Sequence, residues 1–322
     1  MTLREFFRTT YRPLRLRGRS QNTAKLYEAT FRAFDRWLVA EGIATECGLE
    51  HLDELLLARF LEHYTQTHSP YTAEKIRTQL MALARLAWER RVPGMERMPS
   101  CQPGVLPDRI PTAWSADDLR RLFAAAQRIT GRVGKIPAGE WFPAAIQLAY
   151  ETGERIGALM ATPARDYARP TLTVQPEARK GGRRGRVYHI SDELCDRLDR
   201  VVAHGYEMLL PWPMTPTHVY HRLKSILKAA GLGGKRLAFH QIRRTAISHI
   251  AAAGADPVEF AGHSSPAITK RWYLDPRYAD RGPKPHQLLP RIDQAHETPA
   301  PTADSQGSQS AEVDPPPERP AA

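Results

Sequence analysis

The chain has little cysteine: Cys47, Cys101 and Cys195 are all it holds in 322 residues. So few and so scattered, they exclude a disulfide framework or a zinc site and point to a reducing interior. Long apolar runs are missing too. None approaches the ~20 residues of a membrane span, so no membrane partner is expected. The start, with Arg12, Arg15, Arg17 and Arg19, lacks the apolar core of a signal peptide. Internal repeats are absent. Acidic residues fall short of basic ones, 35 against 46, for a formal charge of +11. From His296 onward, however, Glu297, Asp304, Glu312, Asp314 and Glu318 face Arg319 alone; that stretch is −4 and the rest of the chain +15. Such a surplus favours a polyanion partner through counterion release.

Length alone suggests about two domains, and the punctuation agrees. From Asn22, Tyr27, Phe31, Phe34 and Leu38 recur at helical spacing, with Gly42 placed to end the helix. A second apolar run covers 52–64, and a third helix follows Ser69-Pro70 with Ile76, Leu80, Leu83 and Ala87 on one face. Lys75, Arg77 and Arg85 occupy its other face. Pro93, Pro99, Pro103, Pro107 and Pro111 then argue against regular backbone. Ser115-Ala116-Asp117-Asp118 opens a new helix through Leu119, Leu122 and Phe123, and 216–231 reads as another with Val219, Leu223 and Ile226 inward. The expected organisation is a helical domain over 1–92, a Pro-rich linker over 93–112, a second domain over 113–281 and a largely disordered acidic, Pro-rich tail over 282–322.

Chemistry concentrates in the second domain. In His240-Gln241-Ile242-Arg243 the histidine and arginine, three apart on a helix, share a face. A planar guanidinium beside an imidazole suits a phosphate. Gly262-His263 and Tyr273 follow. Upstream, Thr152-Gly153-Glu154-Arg155-Ile156 puts an arginine just inside a short helix that ends before Pro163. Between strand-like runs 172–174 and 187–190 lies Lys180-Gly181-Gly182-Arg183-Arg184-Gly185, a hairpin tip carrying a lysine.

In order, Arg155, Lys180, His240, Arg243, His263 and Tyr273 resemble the catalytic set of the tyrosine recombinase (phage integrase) family, and the resemblance runs to about residue 280. It implies a mainly α fold: an all-helical N-terminal core-binding (SAM-like) domain that grips DNA, plus an α-rich catalytic domain with a small antiparallel sheet. It implies site-specific cutting and rejoining of double-stranded DNA recombination sites through a 3′-phosphotyrosyl link, with no cofactor and no metal. Arg155 and Arg243 would clamp the phosphate, Lys180 would protonate the leaving 5′-oxygen, His240 would act as acid/base, His263 would donate to the phosphate, and Tyr273 would attack. A homotetramer on DNA, an accessory directionality factor, a mobile-element role and a bacterial, nucleoid-associated cytoplasmic location belong to the same expectation.

Three features depart from the family pattern. The usual nucleophile position, nine residues after the histidine, is Trp272; Tyr273 lies one further on and Tyr278 beyond it. The acidic residue usual three after the first arginine is Ala158, so a supporting interaction is either missing or supplied by Glu154 or Asp166. Gly254 to His263 is about three residues short, close to one helical turn. If that shift were uncompensated, the alternative would be a DNA-binding architectural or regulatory protein that has lost cleavage.

Overall fold

The computed structural model describes residues 1–18, 21–179, 184–233 and 238–279. Lys180, Arg19 and the segment after 279, including the tail expected over 282–322, lie outside the described residues. Met1–Arg109 and Ile110–Ala322 form two compact units.

In the first unit, α1 (Leu3–Phe6) and α2 (Arg12–Arg15) flank a π-helical segment, Phe7–Tyr11. The opening thus does more than carry arginines. Leu3, Phe6 and Phe7 are buried, while Arg12, Arg15 and Arg17 stay exposed. The stripe expected from Asn22 forms α3 (Gln21–Ala40), burying Tyr27, Phe31, Phe34 and Leu38. Gly42 terminates it at φ +68°, a left-handed conformation that costs glycine little. Asp53 caps α4 (Glu54–Thr67) by accepting from the Leu55 N–H at 2.8 Å, and Ser69 caps α5 (Pro70–Glu89). Each cap contributes about 1 kcal/mol. Phe34 and Phe60 meet at 4.8 Å between centroids, and Ile76, Leu80, Leu83 and Ala87 face the same core. Burying each large side chain stabilises by roughly 1.5–3 kcal/mol.

The outer face of α5 differs from expectation at Arg77. Lys75 and Arg85 are exposed, but Arg77 pairs with Glu74 and donates Nη1 to the Cys101 carbonyl at 2.8 Å. Its charge is spent on holding the Pro-rich segment. Gly104 N–H donates to Glu74 at 3.1 Å and Arg109 lies 5.1 Å over the Tyr71 ring. No helix or strand forms over 93–112.

The second unit opens on α6 (Ala116–Gln127), capped reciprocally by Ser115 and Asp118. A two-residue hairpin, β1 (Arg132–Val133) with β2 (Ile136–Pro137), leads into α7 (Ala138–Thr152). With Trp141, Phe142, Ala145, Leu148 and Ala149 all buried, α7 is apolar around its girth and sits centrally, packed on α6, α9 and α11. Next come α8 (Ile156–Met160) and a three-stranded antiparallel sheet in the order β3 (Tyr167–Ala168), β4 (Thr171–Val174), β5 (Arg186–His189). Leu172 pairs with Tyr188, and Leu172 and Val174 turn into the core. The remaining helices are α9 (Asp192–Val202), α10 (Pro216–Ala229), α11 (Ala238–Ala253), α12 (Pro257–Ala261), α13 (Pro266–Trp272) and α14 (Pro276–Ala279). The fold is mainly α with small antiparallel sheets. Among the described residues, no helix is long and apolar enough to cross a membrane.

Candidate active site

The turn from α7 to α8 is built by its glycine. Gly153 ends α7 at φ +61°, and a Cβ there would come within 2.5 Å of the Phe260 ring. Both reasons bar a side chain. The turn sets the Gly153 carbonyl toward α11, where Arg243 Nη1 donates to it. Arg155 is the N-cap of α8, at φ −72° and ψ 134°, rather than a residue inside that helix as expected. It is half-buried, and its charge acts on His240, Arg243 and His263 together.

Arg243 is 1% exposed, which would be costly without partners. It has several: the Gly153 carbonyl, the Ala261 carbonyl at 2.8 Å from Nη2, His263 Nε2 at 3.0 Å from Nη2, and the Glu154 carboxylate at 4.0 Å. Burial still lowers its pKa, aided by the positive charge of Arg155.

Three residues short, the segment after α11 still delivers its histidine. Gly254 at φ +98° ends α11, α12 takes one turn, and Gly262 at φ +61° swings the chain so that His263 faces Arg243. His263 Nδ1 lies 2.8 Å from Thr269 Oγ1, itself buried. Tyr273 then caps α13. Its ring centroid is 4.4 Å from that of His263 and 5.0 Å from that of His240, and the Arg243 guanidinium lies 5.3 Å away. Ser248 ties down the backbone on either side, donating to the Tyr273 carbonyl at 3.3 Å and accepting from the Asp275 N–H at 3.0 Å.

The two rivals point elsewhere. Tyr278 packs at a tilt on His249, 5.0 Å between centroids, and donates to the Trp114 carbonyl at 3.4 Å. Trp272 is 38% exposed beneath the Arg271 guanidinium. Arg155, His240, Arg243, His263 and Tyr273 are thus brought to one place.

Both histidines are held neutral. His240 is pushed down to about 4, by burial first and then by Arg244, Arg243 and Arg155. His263 is likewise pushed down to about 4, by burial, Arg243, Arg155 and His240. A neutral imidazole can accept a proton at pH 7.

Ala158 stands where the family pattern has an acid; the buried carboxylate of the turn is that of Glu154, 1% exposed. Its carboxylate accepts from Tyr188 Oη at 2.8 Å and from the Arg155 N–H at 3.1 Å, besides facing Arg243. It also pairs with Arg179 Nε at 2.6 Å, an ion pair without the alignment of a hydrogen bond. Arg179 immediately precedes Lys180, and Arg186 Nη1 donates to the Phe260 carbonyl at 2.7 Å. One buried carboxylate therefore joins the α7–α8 turn, α11 and the sheet. Asp166 lies instead in the short 3-10 turn Ala164–Asp166. Among the described residues no group of three His, Cys, Asp or Glu side chains could hold a metal.

No curated protein is similar in sequence to the chain. Solved structures share its fold at low identity. A lambda integrase (75-356) dimer bound to a COC′ core site superposes with a TM-score of 0.62 at 20% identity, over 82% of this chain and 96% of that one. XerH site-specific recombinase on a palindromic difH substrate, a post-cleavage complex, gives 0.63 at 17%, over 81% and 79%. The Tn1549 transposon integrase with a circular-intermediate DNA gives 0.59 at 16%, over 85% and 95%. The phage integrase family profile matches residues 114–280, more than half of the chain. The protein therefore belongs to the phage integrase family and is a tyrosine site-specific recombinase, an enzyme of DNA strand cleavage and rejoining.

Proposed function

We propose that Tyr273 is the nucleophile of this recombinase and that Arg155, His240, Arg243 and His263 form its phosphate pocket. The observation that carries this is the close packing of the Tyr273 ring against His240, His263 and the Arg243 guanidinium, at 5.0, 4.4 and 5.3 Å. The Tyr273 Oη gives its proton to the neutral ring of His240 and attacks phosphorus. The bond to the 5′-oxygen breaks, and that oxygen takes a proton from Lys180. A 3′-phosphotyrosyl link and a free 5′-hydroxyl result. Charge building on the nonbridging oxygens meets Arg155 and Arg243, where preorganised cations in a dry site are most effective. The covalent link retains the bond energy, so a 5′-hydroxyl from a second duplex reverses the steps.

His263 has a supporting part in this scheme. A guanidinium only donates, so the 3.0 Å contact makes His263 Nε2 an acceptor and puts the ring proton on Nδ1, toward Thr269. His263 then orients Arg243, rather than donating to the phosphate as the family resemblance implied.

Lambda integrase has been solved as a tetramer bound to a Holliday junction. We extend that assembly to this chain, as four copies on two duplexes. A reducing cytoplasm fits the three free cysteines, and a mobile-element role fits the likeness to the Tn1549 transposon integrase. The test is covalent capture from a pool of nicked duplexes of randomised sequence. Wild type and Tyr278→Phe should yield a protein–DNA adduct and Tyr273→Phe none; an adduct lost with Tyr278→Phe instead would overturn the assignment.

A further inference from the structure

Arg244 stands beside the family's His-x-x-Arg motif but is not part of it, and the functional scheme above leaves it idle. It is half-buried, and its Nε is buried with no hydrogen-bond partner. Among the described residues no carboxylate pairs with it. Other arginines of the unit have carboxylate partners, Arg179 with Glu154, Arg169 with Asp192 and Asp196, and Arg277 with Asp275. A buried donor without a partner on a half-buried cation is costly to keep.

Its place on α11 indicates what it faces. Positions 240, 244 and 248 are successive members of one i, i+4 ridge. The first, His240, touches the Tyr273 ring, and the last, Ser248, touches the Tyr273 carbonyl. Tyr273 thus lies along the ridge, and Arg244 is its middle member. Among the described residues, the charged and titratable groups facing Tyr273 are then His240, Arg243 and Arg244 from α11 and His263 from the turn before α13, with Arg155 at the α8 cap acting on His240, Arg243 and His263. Arg243 Nη1 and Nη2 already donate to two carbonyls and His263, while its Nε has no partner and remains, with Arg155, for the phosphate oxygens.

We propose that Arg244 is a further functional residue of the cleavage step, holding the negative charge that develops on the Tyr273 oxygen as its proton leaves for His240. The inference rests on Tyr273 being the nucleophile. Mutual electrostatic influence agrees with it: Arg244 depresses the proton affinity of His240, and an ionised Tyr273 would raise that of Arg244 against the lowering by burial. Phenolate and guanidinium favour one another, and the proton that leaves Tyr273 goes to a histidine kept neutral by the same cation.

Two readouts test this. The first needs no DNA. In protein labelled with 3-fluorotyrosine, the Tyr273 signal is identified by its loss in Tyr273→Phe and titrated by ¹⁹F NMR. Arg244→Gln should raise the proton affinity of that oxygen roughly tenfold or more, the size expected when an adjacent opposite charge is removed, and Arg244→Lys should restore most of it. The second is the single-turnover rate of adduct formation on the duplex selected by capture. Arg244→Gln should slow it by about tenfold at pH 7, recover toward wild type as pH rises, and leave half-site affinity within about twofold. Unchanged titration and rate would overturn the proposal. So would weakened DNA binding with unchanged titration, which would make Arg244 a plain phosphate contact. If Tyr273→Phe still forms adduct, it is the assignment of the nucleophile that fails; if that variant is inert while Arg244→Gln is normal, only the role of Arg244 fails.

Discussion

Arg243 Nη2 and His263 Nε2 meet at 3.0 Å, and only the arginine can be the donor. The consequence reaches Thr269, whose hydroxyl receives the remaining ring proton at 2.8 Å. Replacing it by valine removes that acceptor and frees the imidazole to change tautomer or turn. Loss of one buried hydrogen bond costs about 1 kcal/mol or somewhat more. Thr269→Val should therefore slow adduct formation by about five- to tenfold while half-site binding, measured by gel shift, stays intact. A wild-type rate would remove His263 from the support of Arg243.

The two arginines should separate by stability. Lysine keeps charge but loses the paired donors, so Arg155→Lys and Arg243→Lys should each lower the cleavage rate by ~10²–10³. Arg243 is 1% exposed and holds two backbone carbonyls, whereas Arg155 is half-buried at a helix cap. Thermal denaturation should show a clear drop in Tm for Arg243→Lys and little change for Arg155→Lys. Equal drops would contradict the distinct placements.

Acid should weaken the catalytic unit through its histidines. His240 and His263 are held at about 4 in the folded protein, against an ordinary value near 6.5. Between these values the unfolded chain binds more protons, so stability falls as pH drops from about 6.5 to about 4 and is unaffected by these groups above that window. Denaturant midpoints at pH 7.5, 5.5 and 4.5 measure this, and His240→Gln with His263→Gln should flatten the decline. For the same reason cleavage at subsaturating DNA should show no loss near pH 6.5, and a fall there would mean His240 titrates like a solvated imidazole.

Glu154 balances two buried guanidiniums, Arg179 and Arg243. Glu154→Gln keeps the volume and an acceptor for Tyr188 but removes the charge. Stranding a partner of a buried pair typically costs ~3–5 kcal/mol, so this change should lower Tm by several degrees and depress cleavage together. Glu154→Asp should fall between. A Gln variant as stable as wild type would assign the balance to solvent or DNA.

Much of this site is legible in the sequence because helical periodicity is local. His240 and Arg243 share a face by spacing alone, and Ser69-Pro70 and the Ser115 to Asp118 run announce their helices. What depends on distant partners is not legible. Spacing leaves Tyr273 and Tyr278 as rivals; they part through distant partners, His249 and the Trp114 carbonyl holding Tyr278 on the other side of α11. Nothing local chooses Glu154 over Asp166. The central α7 hides because it is apolar on every side and carries Pro143, so no amphipathic stripe marks it. Arg77 resembles a surface cation until Cys101 comes round to meet it.

The central claim is that the oxygen of Tyr273 becomes joined to DNA. Its most direct measurement is to trap the covalent complex on a nicked duplex, digest protein and DNA, and sequence the nucleotide-bearing peptide by mass spectrometry. The account predicts that the added mass sits on Tyr273, in a peptide containing Trp272 and Leu274. A nucleotide found on Tyr278, or no adduct from protein that binds the duplex, would contradict it.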